Sequence, residues 1–232
     1  MTEARPRVAI VAFPGSNDIV DAQIALERLG AEALVVWHAD EELPGVGAVV
    51  LPGGFSYGDY LRAGAIARFS PAMRAVVDFA ADGGFVLGIC NGFQVLCEAG
   101  LLPGVLRPNE SLSFVCRDVA LRVERADVPL LSGCKVGQRL TIPVKHGEGR
   151  YFADTDLLEQ LETGKQIVLR YEGDNPNGSL DDIAGVVNLE GNVLGLMPHP
   201  EHAVDPLLGS VDGALILGAL VERARERLLA PA

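Results

Sequence analysis

Residues 83–94, GGFVLGICNGFQ, contain the stretch of sequence that decides the fold. Residues 85–89 form a short and nearly continuous apolar run, which is typical of a strand buried on both faces of a parallel sheet. Residues 93–99 have a helical pattern that ends at Gly100. The sequence therefore predicts a buried strand that turns sharply into a helix, with Cys90 at the turn.

Cys90 stands between Gly88 and Gly92 in the pattern G-x-C-x-G. A nucleophile on such a strand-turn-helix elbow has a strained backbone, so its neighbours must be small. The N-terminus of the following helix directs free N–H groups and a positive dipole end at the sulfur, which favours the thiolate. A lone cysteine is more often a buried packing residue, but packing does not require glycine on both sides. We therefore interpret Cys90 as a catalytic nucleophile.

Apolar strands and helices alternate along the rest of the chain. Strands are predicted at residues 7–13, 33–37, 48–51, 114–123, 139–144, 167–171, 183–189 and 193–197, and helices at 18–29, 70–81, 154–161 and 212–229. The alternation in the first half predicts an α/β fold, a doubly wound and mostly parallel sheet flanked by helices, with an antiparallel extension later in the chain. We expect one domain over residues 1–232, with its core at about 7–229.

Composition narrows the class of protein. The net charge of −12 at pH 7 argues against a nucleic-acid partner. No apolar run is long enough to span a bilayer, and the first residues do not resemble a signal peptide. The four cysteines include no C-x-x-C pair, so neither a metal site nor a redox dithiol is indicated. The sequence predicts a cytoplasmic protein with reduced thiols and no membrane partner.

Gly53 and Gly54 follow the strand predicted at residues 48–51. Chemistry in a parallel sheet takes place beyond the carboxyl ends of the strands. Paired glycines there let backbone N–H groups approach a ligand closely and form a phosphate nest or an oxyanion hole. No Gly-Lys-Ser/Thr follows, so the segment is not a P-loop. A plain glycine turn is about as common, and the residues alone leave both readings open.

His199 and Glu201 follow the strand predicted at residues 193–197, and prolines flank His199. Because proline disfavours helix, we expect an extended segment in which residues i and i+2 project to the same face. A carboxylate beside an imidazole fixes its tautomer and supports the imidazolium. We therefore predict a triad of Cys90, His199 and Glu201. The remaining histidines are interpreted as ordinary core or surface residues: His38, His146 and His202.

These motifs resemble those of the class I, or triad, glutamine amidotransferases. The similar segments are PGG at 52–54, GICNGFQ at 88–94 and HPE at 199–201. Longer strings are similar, more narrowly, to the glutaminase subunits of phosphoribosylformylglycinamidine synthase, and they lie at 53–62, 143–149, 176–179 and 197–201. The resemblance extends over essentially the whole chain. Three residues depart from the family pattern, which often has Cys, Cys and Arg in their places: Asp18, Ala63 and His202.

The resemblance implies a glutaminase reaction. The Cys90 thiolate would attack the side-chain amide of L-glutamine and form a γ-glutamyl thioester. His199, oriented by Glu201, would protonate the departing ammonia and then activate water. The resemblance also implies an oxyanion hole made by N–H groups of Gly53 or Gly54 and of Asn91. The substrate contacts that it suggests are Gln94, His146, Asn177 and Ser179.

The resemblance further implies partners. Ammonia would pass to a synthetase subunit, which uses ATP and Mg²⁺ to convert formylglycinamide ribonucleotide to the amidine in purine biosynthesis. A small bridging subunit would join the two proteins. This chain has no ATP-binding motif, so no cofactor is expected in it. His146, Glu148 and Arg150 would either contact the synthetase, line the mouth of the site, or form a solvated loop.

Two other functions remain possible from the sequence. A cysteine hydrolase or stress protein of the DJ-1/PfpI type shares the elbow and the sheet, but that group does not use a terminal His-Pro-Glu triad. A non-catalytic, glutaminase-like regulatory subunit would bind glutamine or a partner without turnover. Such a subunit would not need the complete set of Cys90, His199 and Glu201.

Overall fold

The computed structural model describes residues 5–230. The strands of these residues are β1 Arg7–Ala12, β2 Glu32–Trp37, β3 Ala48–Leu51, β4 Phe85–Ile89, β5 Val105–Arg107, β6 Val115–Val123, β7 Arg139–His146, β8 Arg150–Phe152, β9 Ile167–Tyr171, β10 Ile183–Val187 and β11 Val193–Leu196. The helices are α1 Ile19–Arg28, α2 Pro71–Ala81, α3 Asn91–Glu98, α4 Thr155–Thr163 and α5 Gly213–Leu229. Within residues 5–230 no helix combines the length and the apolar composition needed to cross a membrane.

Most strands form one mixed sheet in the order β2-β1-β3-β4-β11-β10-β9-β6-β7. The strands from β2 to β11 pair in parallel, and those from β11 to β7 pair antiparallel. Every residue of β3 is buried, as expected for a strand that helices cover on both faces. The α/β fold class is confirmed, with an antiparallel half that contains as many strand pairings as the parallel half.

Helices cover both faces of the parallel half. Helix α5 packs against α1 and against β1, β3 and β4, while α2 and α3 pack against β4. Right-handed crossovers explain this arrangement, because the chain moves from β1 to β2 in one direction and from β3 to β4 in the other. The carboxyl ends of β1, β3, β4 and β11 consequently meet at one edge of the sheet.

The predicted helix ends and hairpin are found in the structure. The Ser70 Oγ accepts a hydrogen bond from the Met73 N–H at 3.3 Å, and α2 begins at the next residue, as predicted for this cap. Strands β10 and β11 form the expected antiparallel hairpin. Residues 147–149 form the expected loop, whereas His146 ends β7 and Arg150 begins β8, which pairs with β5 in a small second sheet. Both strands have three residues, too few for an apolar period to be recognised in the sequence.

Candidate active site

Cys90 lies at the sharp turn between β4 and α3. Its backbone has φ 51° and ψ −105°, a strained conformation for a residue with a side chain. The two glycines of the motif are required by close packing: a Cβ on Gly88 would lie 2.5 Å from Leu96 Cδ1, and one on Gly92 would overlap the carbonyl oxygen of Leu51. The Cys90 N–H donates a hydrogen bond to the Leu196 carbonyl oxygen at 2.8 Å, which fastens the elbow to β11. The predicted nucleophile elbow is therefore present in the fold.

His199 and Glu201 follow β11 and lie beside the elbow. Residues Pro200–His202 form a short 3-10 turn, so the expectation of an extended segment is wrong. The fixed φ of Pro200 suits the first position of a helical turn, where its missing N–H is not needed. The turn still brings the His199 Nδ1 to 2.6 Å from Glu201 Oε1, and both side chains are buried.

The charge state of His199 is decided by its neighbours. Burial alone would lower the pKa of His199, but the charge of Glu201 and the proximity of Cys90 outweigh burial and raise this pKa to about 10. Within residues 5–230 the buried His199 Nε2 makes no hydrogen bond. The protonated ring therefore has a free N–H near the sulfur of Cys90, suited to protonating a leaving group.

Gly53 and Gly54, which follow β3, lie in two different environments. Gly54 has φ 144° and lines the cavity above Cys90, and within residues 5–230 neither its N–H nor that of Asn91 has an acceptor. Gly53 lies instead against His199, since a Cβ there would be 2.7 Å from the ring Cε1. Asn91 Oδ1 accepts a hydrogen bond from the Ser56 N–H at 3.2 Å and ties the loop after Gly54 to the elbow. Gly54 thus presents a free N–H at the cavity, and the free N–H of Asn91 follows directly after the cavity-lining Cys90.

A cavity of about 600 Å³ opens over Cys90. Gln94 and His146 line it, as does Glu148, whose carbonyl oxygen accepts a hydrogen bond from Gln94 Nε2. Asp59 lies at the same wall, where burial and the neighbouring Glu148 raise the pKa of its carboxyl to about 6. The sequence pattern did not indicate Asp59 as a cavity residue, because its loop has no regular period.

Asn177 and Ser179, predicted as substrate contacts, do not line the cavity. Asn177 is buried behind His146, where its Nδ2 lies 2.9 Å from His146 Nε2 and 2.8 Å from the Gly149 carbonyl oxygen. The Ser179 Oγ accepts a hydrogen bond from the Tyr151 N–H at 2.9 Å. The polar network that these residues form fixes the wall of the cavity from behind.

Asp18 is the main residue of this site that sequence reasoning did not assign. Asp18, His199, Glu201 and His202 bring oxygen or nitrogen atoms within 4.8 Å of one another, a spacing that also suits a metal ion. The Lys145 Nζ, however, lies 2.5 Å from Asp18 Oδ1 and supplies a cation to this group. The only signal in the sequence was that Asp18 and His202 both depart from the family pattern.

The fold and this site together define a glutamine amidotransferase of the triad class. The sequence model described as CobB/CobQ-like glutamine amidotransferase domain matches residues 5–213, and the chain belongs to this family. Within it, the chain belongs to the PurQ subunits of phosphoribosylformylglycinamidine synthase. The PurQ subunit of Rubrobacter xylanophilus is 59% identical over 219 residues, which cover 94% of this chain and 99% of the relative.

Further relatives agree with this assignment. The PurQ subunit of Thermus thermophilus is 55% identical over 226 residues, covering 94% of this chain and 100% of the relative. A chain in the solved structure of PurLQS from Thermotoga maritima superposes with a TM-score of 0.85 at 43% identity, covering 94% of this chain and 98% of that chain. The resemblance found in the sequence is confirmed.

Proposed function

We propose that the chain hydrolyses L-glutamine to glutamate and ammonia, and that it does so as the glutaminase subunit of a phosphoribosylformylglycinamidine synthase. The main observation behind the proposal is that Cys90, on a strained elbow, lies beside the buried pair of His199 and Glu201. A packing cysteine needs neither the elbow nor the pair. The names of the curated relatives support the same activity.

The proposed reaction uses the triad in two half-reactions. The Cys90 thiolate, paired with the imidazolium of His199, attacks the side-chain carbonyl carbon of glutamine. Collapse of the tetrahedral intermediate breaks the C–N bond, and the leaving nitrogen takes the proton from His199 and departs as ammonia. His199 then removes a proton from water, which attacks the thioester and releases glutamate and the thiolate. Glu201 stabilises the imidazolium that starts the first half-reaction and forms again in the second.

The free N–H groups of Gly54 and Asn91 are the proposed oxyanion hole. A preorganised donor of this kind contributes roughly 3–4 kcal/mol to transition-state stabilisation. Because the donors belong to the backbone, their position depends on the loop conformation at Gly54. A Cβ at Gly54 would lie 2.5 Å from the Asn17 backbone nitrogen, so Gly54→Ala would displace one donor. We therefore expect this variant to lose activity about 100-fold or more in kcat.

We propose a synthetase subunit and a small bridging subunit as partners, with ATP and Mg²⁺ bound by the synthetase and no cofactor in this chain. Exposed apolar side chains that line the cavity support a protein partner at its mouth: Phe55, Leu112 and Phe114. All four cysteines are free thiols, which agrees with the proposed cytoplasmic location.

The test is glutamate formation from glutamine by the purified chain, measured alone and with the synthetase, the bridging subunit, ATP and formylglycinamide ribonucleotide. We expect stimulation by the partners and loss of activity in Cys90→Ala. Cys116→Ala, which removes an exposed thiol, is the matched control and should keep full activity. Activity that is high alone and indifferent to the partners would overturn the purine assignment. Hydrolysis that survives in Cys90→Ala would overturn the triad, and no hydrolysis in either setting would overturn the glutaminase function.

A further inference from the structure

Asp18 holds a buried carboxylate against the imidazole of His199. Its Oδ2 lies 3.6 Å from His199 Nδ1, on the same ring nitrogen that Glu201 Oε1 contacts at 2.6 Å. The ring therefore faces two carboxylates from different parts of the chain. One follows β1 and the other follows β11.

The side chain of Asp18 does not make the capping hydrogen bond that its place at the start of α1 favours. Asp18 is the N-cap residue of α1, and an aspartate at this position usually accepts a hydrogen bond from an N–H of the first turn. Here the side chain makes no capping hydrogen bond. It lies instead beside Gly53, where any Cβ would overlap its Oδ2. Helix α1 is thus left without a side-chain cap, and position 53 has no side chain. Both features leave room for the Asp18 carboxylate to reach His199.

The charges around Asp18 keep it ionised. Lys145, from β7, pairs with Asp18 Oδ1 at 2.5 Å, and the His202 Nε2 lies 3.7 Å from the same oxygen. Burial alone would raise the pKa of Asp18, but His202, Lys145 and His199 outweigh burial and lower this pKa to about 2. A negative charge therefore stands next to His199 throughout the pH range in which an enzyme works.

We propose that Asp18 is a positioning residue that acts through His199, as a second carboxylate that stabilises the imidazolium together with Glu201. The role of Lys145 is to hold Asp18 in place and to limit its effect by neutralising part of its charge. The inference rests on the proposed function, in which the imidazolium donates its proton in the first half-reaction and forms again in the second. The titratable groups around His199 and Asp18 are Cys90, Lys145, His146, Glu201 and His202.

A direct test follows the titration of the His199 ring by NMR in chain labelled with ¹⁵N-histidine. The chain has four histidines, so the signal of His199 can be identified by its absence in His199→Asn. We expect Asp18→Asn to lower the pKa of His199 by about one unit, which is a tenfold change in the proton affinity of the ring. Asp18→Glu, which keeps the charge, should restore most of the difference.

Lys145→Met gives a change of opposite sign. Removal of the cation leaves the full charge of Asp18 facing His199, so the pKa of His199 should rise. A role in packing alone would not move the two variants in opposite directions. Asp21→Asn, which removes a carboxylate from the same first turn of α1, is the matched control and should leave the titration unchanged.

The pH profile of kcat/KM for glutamine hydrolysis gives the second readout. In Asp18→Asn the alkaline limb should move about one pH unit lower, with KM changed less than twofold, because the imidazolium is lost at lower pH. If Asp18→Asn leaves both the titration and the limb within 0.2 units and only lowers the unfolding temperature, Asp18 is structural and the inference is wrong. Failure of the wild-type chain to hydrolyse glutamine both alone and with the partner subunits would overturn the proposed function, whereas the NMR titration would still decide the role of Asp18.

Discussion

Two buried histidines lie near Cys90, and they differ in charge at neutral pH. Carboxylates face His199, and the pKa of this ring is raised to about 10. The neighbours of His146 are the neutral amide of Asn177 and the charge of His199, and burial together with that charge lowers the pKa of His146 to about 4. Both rings are almost fully buried, so burial does not explain the difference. The charge of the contacting groups decides which histidine carries a proton.

The different surroundings of His199 and His146 correspond to the two halves of the sheet. The residues that surround His199 come mainly from the ends of parallel strands, where several chain segments converge and charged groups meet. His146 ends β7 in the antiparallel half, and the network behind it consists of amides and hydroxyls. The parallel half of the sheet thus positions the triad, and the antiparallel half provides the wall that holds His146 neutral.

The largest effect is expected from Glu201→Gln, which removes the negative charge beside His199 and keeps the shape of the side chain. The pKa of His199 should fall and the ring should lose its orienting partner, so we expect kcat for glutamine hydrolysis to fall about 10³-fold or more. Steady-state glutamate release at pH 7 measures the change. Glu159→Gln, on an exposed part of α4, is the control and should have no effect. A loss smaller than tenfold would argue that Glu201 does not support the imidazolium.

The next effect concerns stability in acid. The pKa of His146 is lowered from 6.5 to about 4, so the folded chain binds a proton at His146 less readily than the unfolded chain. The stability that neutral His146 provides is present above pH 6.5 and is lost as the pH falls through about 4, up to about 3 kcal/mol. His199, whose pKa is raised, has the opposite sign: its contribution is present below pH 6.5 and is lost as the pH rises through about 10.

Urea unfolding at a series of pH values separates the two contributions. His146→Gln should flatten the stability curve between pH 6.5 and 4, and His199→Gln should flatten it on the alkaline side. If His146→Gln leaves the acid slope of the wild type unchanged, the lowered pKa of His146 is not the cause of that slope.

A smaller effect is expected from Asn177→Ala. The Asn177 Nδ2 group contacts His146 Nε2 at 2.9 Å and the Gly149 carbonyl oxygen at 2.8 Å. Its loss leaves the buried His146 Nε2 without this partner and the Gly149 carbonyl oxygen with only the Ser179 hydroxyl at 3.4 Å. We expect the free energy of unfolding at pH 7 to fall by about 2 kcal/mol. Gln160→Ala, which removes an exposed amide from α4, should change it by less than about 0.5 kcal/mol. Equal stability of the two variants would show that the network behind His146 is dispensable.

The sequence predicted those parts of the molecule that depend on neighbouring residues. The apolar run of β4 and the glycines around Cys90 identified the elbow, and the hairpin of β10 and β11 placed His199 at the sheet edge. The turn at Pro200 was missed because a proline excludes a helix interior but not the first residue of a turn. The contact of Asp18 with Lys145 joins residues 127 positions apart, and no local sequence pattern indicates such a contact. The places of Asn177 and Ser179 behind the cavity wall depend in the same way on packing between distant segments.

The hydrogen bond between the Cys90 N–H and the Leu196 carbonyl oxygen also affects the chain while it is being synthesised. The ribosome synthesises β4 and α3 long before β11. The emerging chain therefore contains Cys90 before it contains β11, which holds the elbow, and before it contains His199. Pairing over such a sequence distance is slow compared with local structure formation. We therefore expect a nascent chain to remain unable to cleave glutamine until translation is nearly finished, so that ribosome-bound fragments release no ammonia.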